Sequence, residues 1–284
     1  MSKGLLDPKV DFVFKNIFGS PNHPEILISF LNATLKAKKK IVNVDIKKTD
    51  IEKQYIEDKY SRLDVKATTS NDEIINIEIQ LKNENNMVKR SLYYLSKMYE
   101  EQLNEKEDYS KLVRTVCINI LNFKYLKTDN FHTGYRFKEI ESNEELTDIM
   151  EVHFIEIPKL QDSSDEKDML VAWTEFLKDP ESEKVRGLEL SIEEIRQAKD
   201  ELIRMSNDST QRELYDMRAN SLRDKMSELN AAERKGIEKG REEGREEGRE
   251  EEKIKIARNM KLSGLDTNTI AKITNLSEDE IDKL

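Results

Sequence analysis

Two strings of alternating residues, Leu63-Asp-Val-Lys-Ala-Thr-Thr69 and Ile75-Asn-Ile-Glu-Ile-Gln-Leu81, hold the residues best suited to chemistry: Asp64, Glu78 and Gln80. Period-two alternation predicts β-strands, and Ser70-Asn-Asp-Glu73 between them has turn-forming side chains, so the two strings form a hairpin. If the turn centres on Asn71, Leu63 faces Ile79, Val65 faces Ile77 and Ala67 faces Ile75, giving one apolar face. Asp64 then faces Glu78, and Lys66 faces Asn76, on the polar side. A one-residue slip would mix the faces. A two-residue slip preserves them and sets Asp64 beside Gln80. Either register gathers Asp64, Glu78 and Gln80. Facing carboxylates repel unless something neutralises them. A hard divalent cation such as Mg²⁺ does so, taking oxygen ligands together with water and phosphate oxygens. Held there, it would activate a water against phosphorus. Alternation alone equally describes a solvated, acidic sheet edge.

The surrounding elements must position that hairpin. Apolar spacing predicts two helices within residues 9–38, separated at Gly19-Ser-Pro-Asn-His-Pro24. Ile41–Ile46 alternates as a short strand. A helix is expected over Met87–Glu105, with Leu92, Leu95, Met98, Tyr99 and Leu103 facing inward. Val113–Phe123 and Glu151–Pro158 read as buried strands, suited to a sheet covered on both faces. Asp165–Leu177, Ser191–Met205 and Thr210–Leu229 read as helices. The middle of the chain is therefore α/β.

Composition narrows the function classes. The 284 residues suffice for one substantial core with appendages. A net charge of −10 argues against a uniformly basic nucleic-acid binder, although a local groove can be basic where a tail is acidic. With three histidines and one cysteine, a zinc cluster is not expected. Cys117, inside the apolar run Thr115–Leu121, reads as a buried strand residue rather than a nucleophile. Neither a signal peptide nor a membrane-length apolar run is evident, so the expectation is a cytoplasmic protein without membrane contact.

The last fifty residues differ in kind. Gly236, Gly240, Gly244 and Gly248 recur every fourth position among Glu and Arg. Each glycine costs a helix about 1 kcal/mol relative to alanine, partly offset by i,i+4 Glu–Arg pairs. A solvated, marginal helix or linker and a close helix–helix contact in an oligomer are both open readings. Beyond it, Ile254–Leu262, Asp266–Ile273 and Ser277–Leu284 form a small helical unit. Asp266 or Thr267 caps one helix, and Ser277 with Glu280 makes a capping box. So small a core predicts docking, most simply on a second copy of the chain. The expected domains are 1–230, a linker at 231–252, and a tail at 253–284 that serves oligomerisation.

Asp64 followed by Glu78-Ile-Gln80 resembles the PD-(D/E)XK nuclease core. Leu6-Asp-Pro-Lys-Val-Asp-Phe-Val-Phe-Lys-Asn-Ile-Phe-Gly19, Lys59-Tyr-Ser-Arg-Leu-Asp-Val-Lys66, Ile77-Glu-Ile-Gln80 and Arg90-Ser-Leu-Tyr-Tyr-Leu95 together resemble the recombination-promoting nuclease (Rpn), transposase-like family of that superfamily. The likeness spans about residues 5–230. It implies an α/β core, a small mixed sheet flanked by helices, with a helical C-terminal extension. It also implies Mg²⁺-dependent hydrolysis of DNA phosphodiesters, with Mn²⁺ or Ca²⁺ as alternatives and links to recombination, mobile elements or defence. Asp64 and Glu78 would be metal ligands, with Asp11 of the first helix a further candidate. Gln80 stands where many superfamily members carry lysine; it can orient a water but brings no charge. Lys66 and Lys82, on the Asp64 face, are candidates to supply that charge. Lys15, Arg90 and Tyr94 are candidates for phosphate contact. The alternative is a weak or inactive nuclease fold that binds DNA or a protein. The terminal helices resemble a helix-turn-helix, whose acidic character favours a protein partner.

Overall fold

The computed structural model describes residues 4–36, 39–47, 65–165 and 167–284, arranged in two compact units, Met1–Asn220 and Ser221–Leu284. The first is built on six strands: β1 (Val44–Lys47), β2 (Val65–Thr69), β3 (Ile74–Gln80), β4 (Thr115–Leu121), β5 (His132–Lys138) and β6 (Glu145–Glu156). They lie in the order β1-β2-β3-β4-β6-β5. β2 runs antiparallel to both β1 and β3, β3, β4 and β6 run parallel, and β5 closes the far edge antiparallel to β6.

The hairpin has the register set by its turn. Val65 pairs with Ile77, Lys66 with Asn76 and Ala67 with Ile75. Thr69 and Glu73 close the turn, with Asp72 in the left-handed region at φ 61°, a conformation that aspartate tolerates. Leu63 and Asp64 lie outside the described residues.

Each face of the sheet is covered. On one side pack α1 (Asp11–Phe18), α2 (Pro24–Leu35), α4 (Met169–Lys178) and α6 (Glu193–Asn207), with α5 (Glu183–Ser191) between the last two. Phe14, Phe18, Phe30, Trp173 and Phe176 meet there in stacked and edge-on contacts. The indole N–H of Trp173 is satisfied by Ser29 Oγ at 3.1 Å. The other face carries α3 (Met87–Glu100), which lies over β4 and β6. Every residue of β4 is buried, as two-sided coverage requires.

Several expectations are corrected. α3 buries Met87, Ser91, Tyr94, Leu95 and Met98, while Leu92 is exposed. Buried Asn119 on β4 needs a donor, and Ser91 supplies it, its Oγ lying 2.9 Å from Asn119 Oδ1. The face of α3 turned to the sheet thus includes a polar residue, off the purely apolar stripe. β5 was not anticipated: it is an edge strand, largely exposed, so it lacks the inward alternation that marks a strand. α5 also escaped notice, since it buries only Val185 and Leu188. β6 begins at Glu145, six residues before the expected start, because its first half is solvated.

Helix α7 (Ser209–Leu262) is continuous where a linker was one open reading. Residues 232–252 are all exposed, and no atom lies within 4 Å of where a Cβ would stand on Gly236, Gly240, Gly244 or Gly248. In the second unit, the end of α7 packs with α8 (Thr267–Thr274) and α9 (Glu278–Asp282) around Ala257, Ile270, Leu276 and Ile281. Gly264, at φ 82°, ends α7. Asp266 caps α8, and Ser277 with Glu280 forms the expected capping box on α9.

Candidate active site

Glu78 lies near the C-terminal end of β3, beside Asn119 of β4 and beneath the first turn of α3. It is 2 % exposed. Central placement puts it there: β3 has a strand on each side, and α3 closes the face onto which the even-numbered residues of β3 project. One carboxylate oxygen, Oε2, accepts a hydrogen bond from Arg90 Nε at 3.3 Å. The other, Oε1, is buried and meets no donor among the described residues. Burial raises the carboxyl above its ordinary range. The Arg90 charge and hydrogen bond, the nearby Asn76 amide and the Lys15 charge offset only part of that rise. A buried carboxylate with one oxygen unsatisfied is costly as an anion and suited to receiving a cation.

Positive charge reaches this carboxylate from two directions. Arg90 stands in the first turn of α3, its guanidinium 5.4 Å from the centre of the Tyr94 ring. Tyr94 itself is buried in the cluster between α3 and the sheet, so its role at this site is to carry Arg90. Lys15 acts from α1. Asp11, one turn earlier, forms an ion pair with Arg218 of α7 at 2.8 Å. On β2, Lys66 is 3.6 Å from Glu101. Gln80 and Lys82 are half-buried at and just past the end of β3. The structure therefore brings Glu78, Arg90, Tyr94 and the Lys15 charge to one place.

Sequence reasoning missed the polar floor of this site. Asn76, Ser91 and Asn119 are all buried on the α3 face of the sheet. Asn119 is fully engaged, accepting from Ser91 and donating to the His153 carbonyl at 3.1 Å. The signal was present: an asparagine inside Thr115-Val-Cys-Ile-Asn-Ile-Leu121 has no place in a purely apolar strand. Cys117, also on this face, is fully buried, and burial followed by the Glu78 charge pushes its thiol up to about 12. It is an inert core residue, as its sequence context predicted.

A mixed six-stranded sheet flanked by helices, followed by a helical C-terminal region, is consistent with the PD-(D/E)XK class of α/β nuclease fold. Residues 8–232 match the family described as PD-(D/E)XK nuclease family transposase, and residues 250–284 match the C-terminal HTH domain of the Rpn/YhgA-like nuclease family. The chain belongs to this Rpn-type family of PD-(D/E)XK nucleases. No match is found among curated proteins or solved structures. The second match gives the terminal helices the helix-turn-helix form they resembled in sequence. None of the described helices is long and apolar enough to cross a membrane.

Among the described residues, no group of three or more His, Cys, Asp or Glu side chains is placed to hold a metal ion. The donor chemistry at Glu78 nonetheless fits a hard divalent cation. Its carboxylate, with one of two oxygens lacking a well-formed hydrogen bond, is an oxygen donor of the kind Mg²⁺, Mn²⁺ and Ca²⁺ prefer.

Proposed function

We propose that the chain is a divalent-cation-dependent DNA endonuclease that hydrolyses phosphodiester bonds, with Asp64 and Glu78 as the cation's protein ligands. The observation that carries this reading is the buried, half-satisfied Glu78 carboxylate in a chain of the PD-(D/E)XK family. Val65 pairs with Ile77, the same register from which the alternation of the two strings sets Asp64 opposite Glu78. Mg²⁺ bound there would neutralise the carboxylates and lower the pKa of an attacking water.

The remaining work belongs to the chain. Gln80 orients the water, and Arg90 and Lys15 hold the negative charge that grows on the phosphate oxygens. Their presence answers the main objection raised by Gln80, namely that glutamine lacks the charge of the superfamily lysine. Lys66 and Lys82 are secondary sources of the same charge, and Asp11 is an outer ligand if Arg218 releases it. Water forms a bond to phosphorus in line with the departing ester oxygen, which leaves with a proton.

The DNA is bound at this site, the acidic helix-turn-helix tail serves protein contact, and the cellular setting is cytoplasmic, in recombination, mobile-element movement or defence. Domain limits of 1–230, 231–252 and 253–284 and a homo-oligomer joined through the C-terminal helices complete the reading. Arg241, Arg245 and Arg249 flank one side of the glycine row and Glu243, Glu247 and Glu251 the other. In a parallel pair of α7 helices, each Arg column would meet the partner's Glu column.

The test is nicking of plasmid DNA with Mg²⁺ or Mn²⁺. Asp64→Ala and Glu78→Ala should each lower the rate at least about 100-fold. If the wild-type protein binds DNA yet cuts nothing with either ion, the chain is a binding module on a nuclease fold instead.

A further inference from the structure

Asn76 is fully buried, and neither atom of its side-chain amide makes a well-formed hydrogen bond among the described residues, although the amide already stands near enough to Glu78 and Cys117 to favour their charged forms. That is an expensive state: a buried, unsatisfied polar group costs about 1–3 kcal/mol. Asn119, on the neighbouring strand of the same face, shows how such a residue is normally accommodated, with donor and acceptor both engaged.

Two residues along β3 and on the same face lies the other orphan, Glu78 Oε1. Alternate residues of a strand stand about 7 Å apart, within reach of an asparagine and a glutamate leaning toward each other. One orphan is a donor and the other an acceptor. Meanwhile Oε2, the oxygen facing Arg90, is the one engaged.

Building on the proposed cation site, we infer that Asn76 is a positioning residue for Glu78. Its Nδ2–H takes Oε1 when the carboxylate receives the cation, fixing the group so that Oε2 faces the ion. Arg90 then leaves Oε2 for the phosphate. The exchange needs only side-chain rotation, since Arg90 is partly exposed and anchored on Tyr94. Asn76 thus bears on cation affinity rather than on the fold.

The test compares the full chain with Asn76→Leu, which keeps the volume and removes both polar atoms. Titration calorimetry with Mn²⁺ and thermal unfolding in chelator are read side by side. Asn76→Leu should melt at or above the wild-type temperature in chelator, because two orphaned atoms are gone. It should bind Mn²⁺ about tenfold more weakly, as loss of a residue that orients a metal ligand does. Equal Mn²⁺ affinity in both proteins overturns the inference and leaves the cation site intact. A variant that melts several degrees lower in chelator marks Asn76 as part of the scaffold and also overturns it. Absence of any Mn²⁺ binding to the wild type removes the cation site itself, and this inference with it.

Discussion

Two buried carboxylates of the central sheet, Glu151 toward the start of β4 and Glu78 toward its far end, are treated in opposite ways, and Glu156, also at the far end, is saturated by Lys159 and by the Tyr125 and Leu126 amides. Near the start of β4, Arg114 bridges Glu73 and Glu151. Glu151 also accepts from Arg136 Nε at 2.8 Å and from His153 Nε2 at 2.6 Å, while His153 Nδ1 lies 2.9 Å from His132 Nε2. Burial works against the charge on Glu151, yet the bonds from His153, Arg114 and Arg136 outweigh it and hold the carboxyl down at about 2. At the other end, Glu78 makes one well-formed bond, from Arg90, and the weaker help of Asn76 and Lys15 leaves burial to raise its pKa. The same sheet can satisfy a buried acid fully, so the poverty of partners around Glu78 is not a limit of the fold. The saturated end fixes the β5–β6 edge, and Glu78, the starved carboxylate at the other, keeps coordination capacity for a ligand.

Breaking the saturated end should have the largest effect on stability. Arg114→Met strands Glu73 and removes one of the cationic partners of Glu151 within a mostly buried network. Removing one partner from a buried ion pair typically costs about 3–5 kcal/mol. Urea unfolding at neutral pH should show that loss with an unchanged m-value. A loss below about 1 kcal/mol would mean that the network is solvated and that the contrast between the ends is false. DNA cleavage, measured at a temperature where the variant remains folded, should change little, since the network lies away from Glu78.

The same contrast explains what was legible in sequence. The hairpin register was readable because alternation excludes a one-residue slip, which would turn Ile75 and Ile77 outward, and a turn centred on Asn71 picks the observed register from those left. Glu78 was readable as an acid on a strand. Its starvation was not, because that depends on how α3 lies over β4, which brings Ser91 to Asn119 across elements far apart in sequence. The Glu73–Arg114–Glu151 network was invisible for the same reason: nothing local ties a turn residue, a pre-strand arginine and a glutamate on β6. β5 hid because an exposed edge strand such as His132–Lys138 has no buried face to announce it. The tail was readable down to its caps, since Asp266 and Ser277 act within their own first turns.

A smaller effect of opposite sign should appear at the starved end. Glu78→Gln keeps the shape and removes the cost of holding a charge in a buried, half-partnered place, so without divalent ions it should stabilise the protein by about 1–2 kcal/mol. The sign follows from linkage. Glu78 has a raised pKa when folded, so between its unfolded and folded values the native state holds the proton more tightly than the unfolded chain does. This group's contribution is therefore greatest below the unfolded value of about 4.5 and declines as pH rises through the folded pKa. Glutamine does not titrate, so the gap in Tm between Glu78→Gln and wild type should be small near pH 4 and widen toward pH 8. Saturating Mg²⁺ should then reverse it, because only the wild type gains binding free energy from the ion. A variant less stable than wild type at pH 8 in chelator would show that the Arg90–Glu78 pair supports the fold. In that case both ends of the sheet would be structural, and the site would lose the feature that distinguishes it.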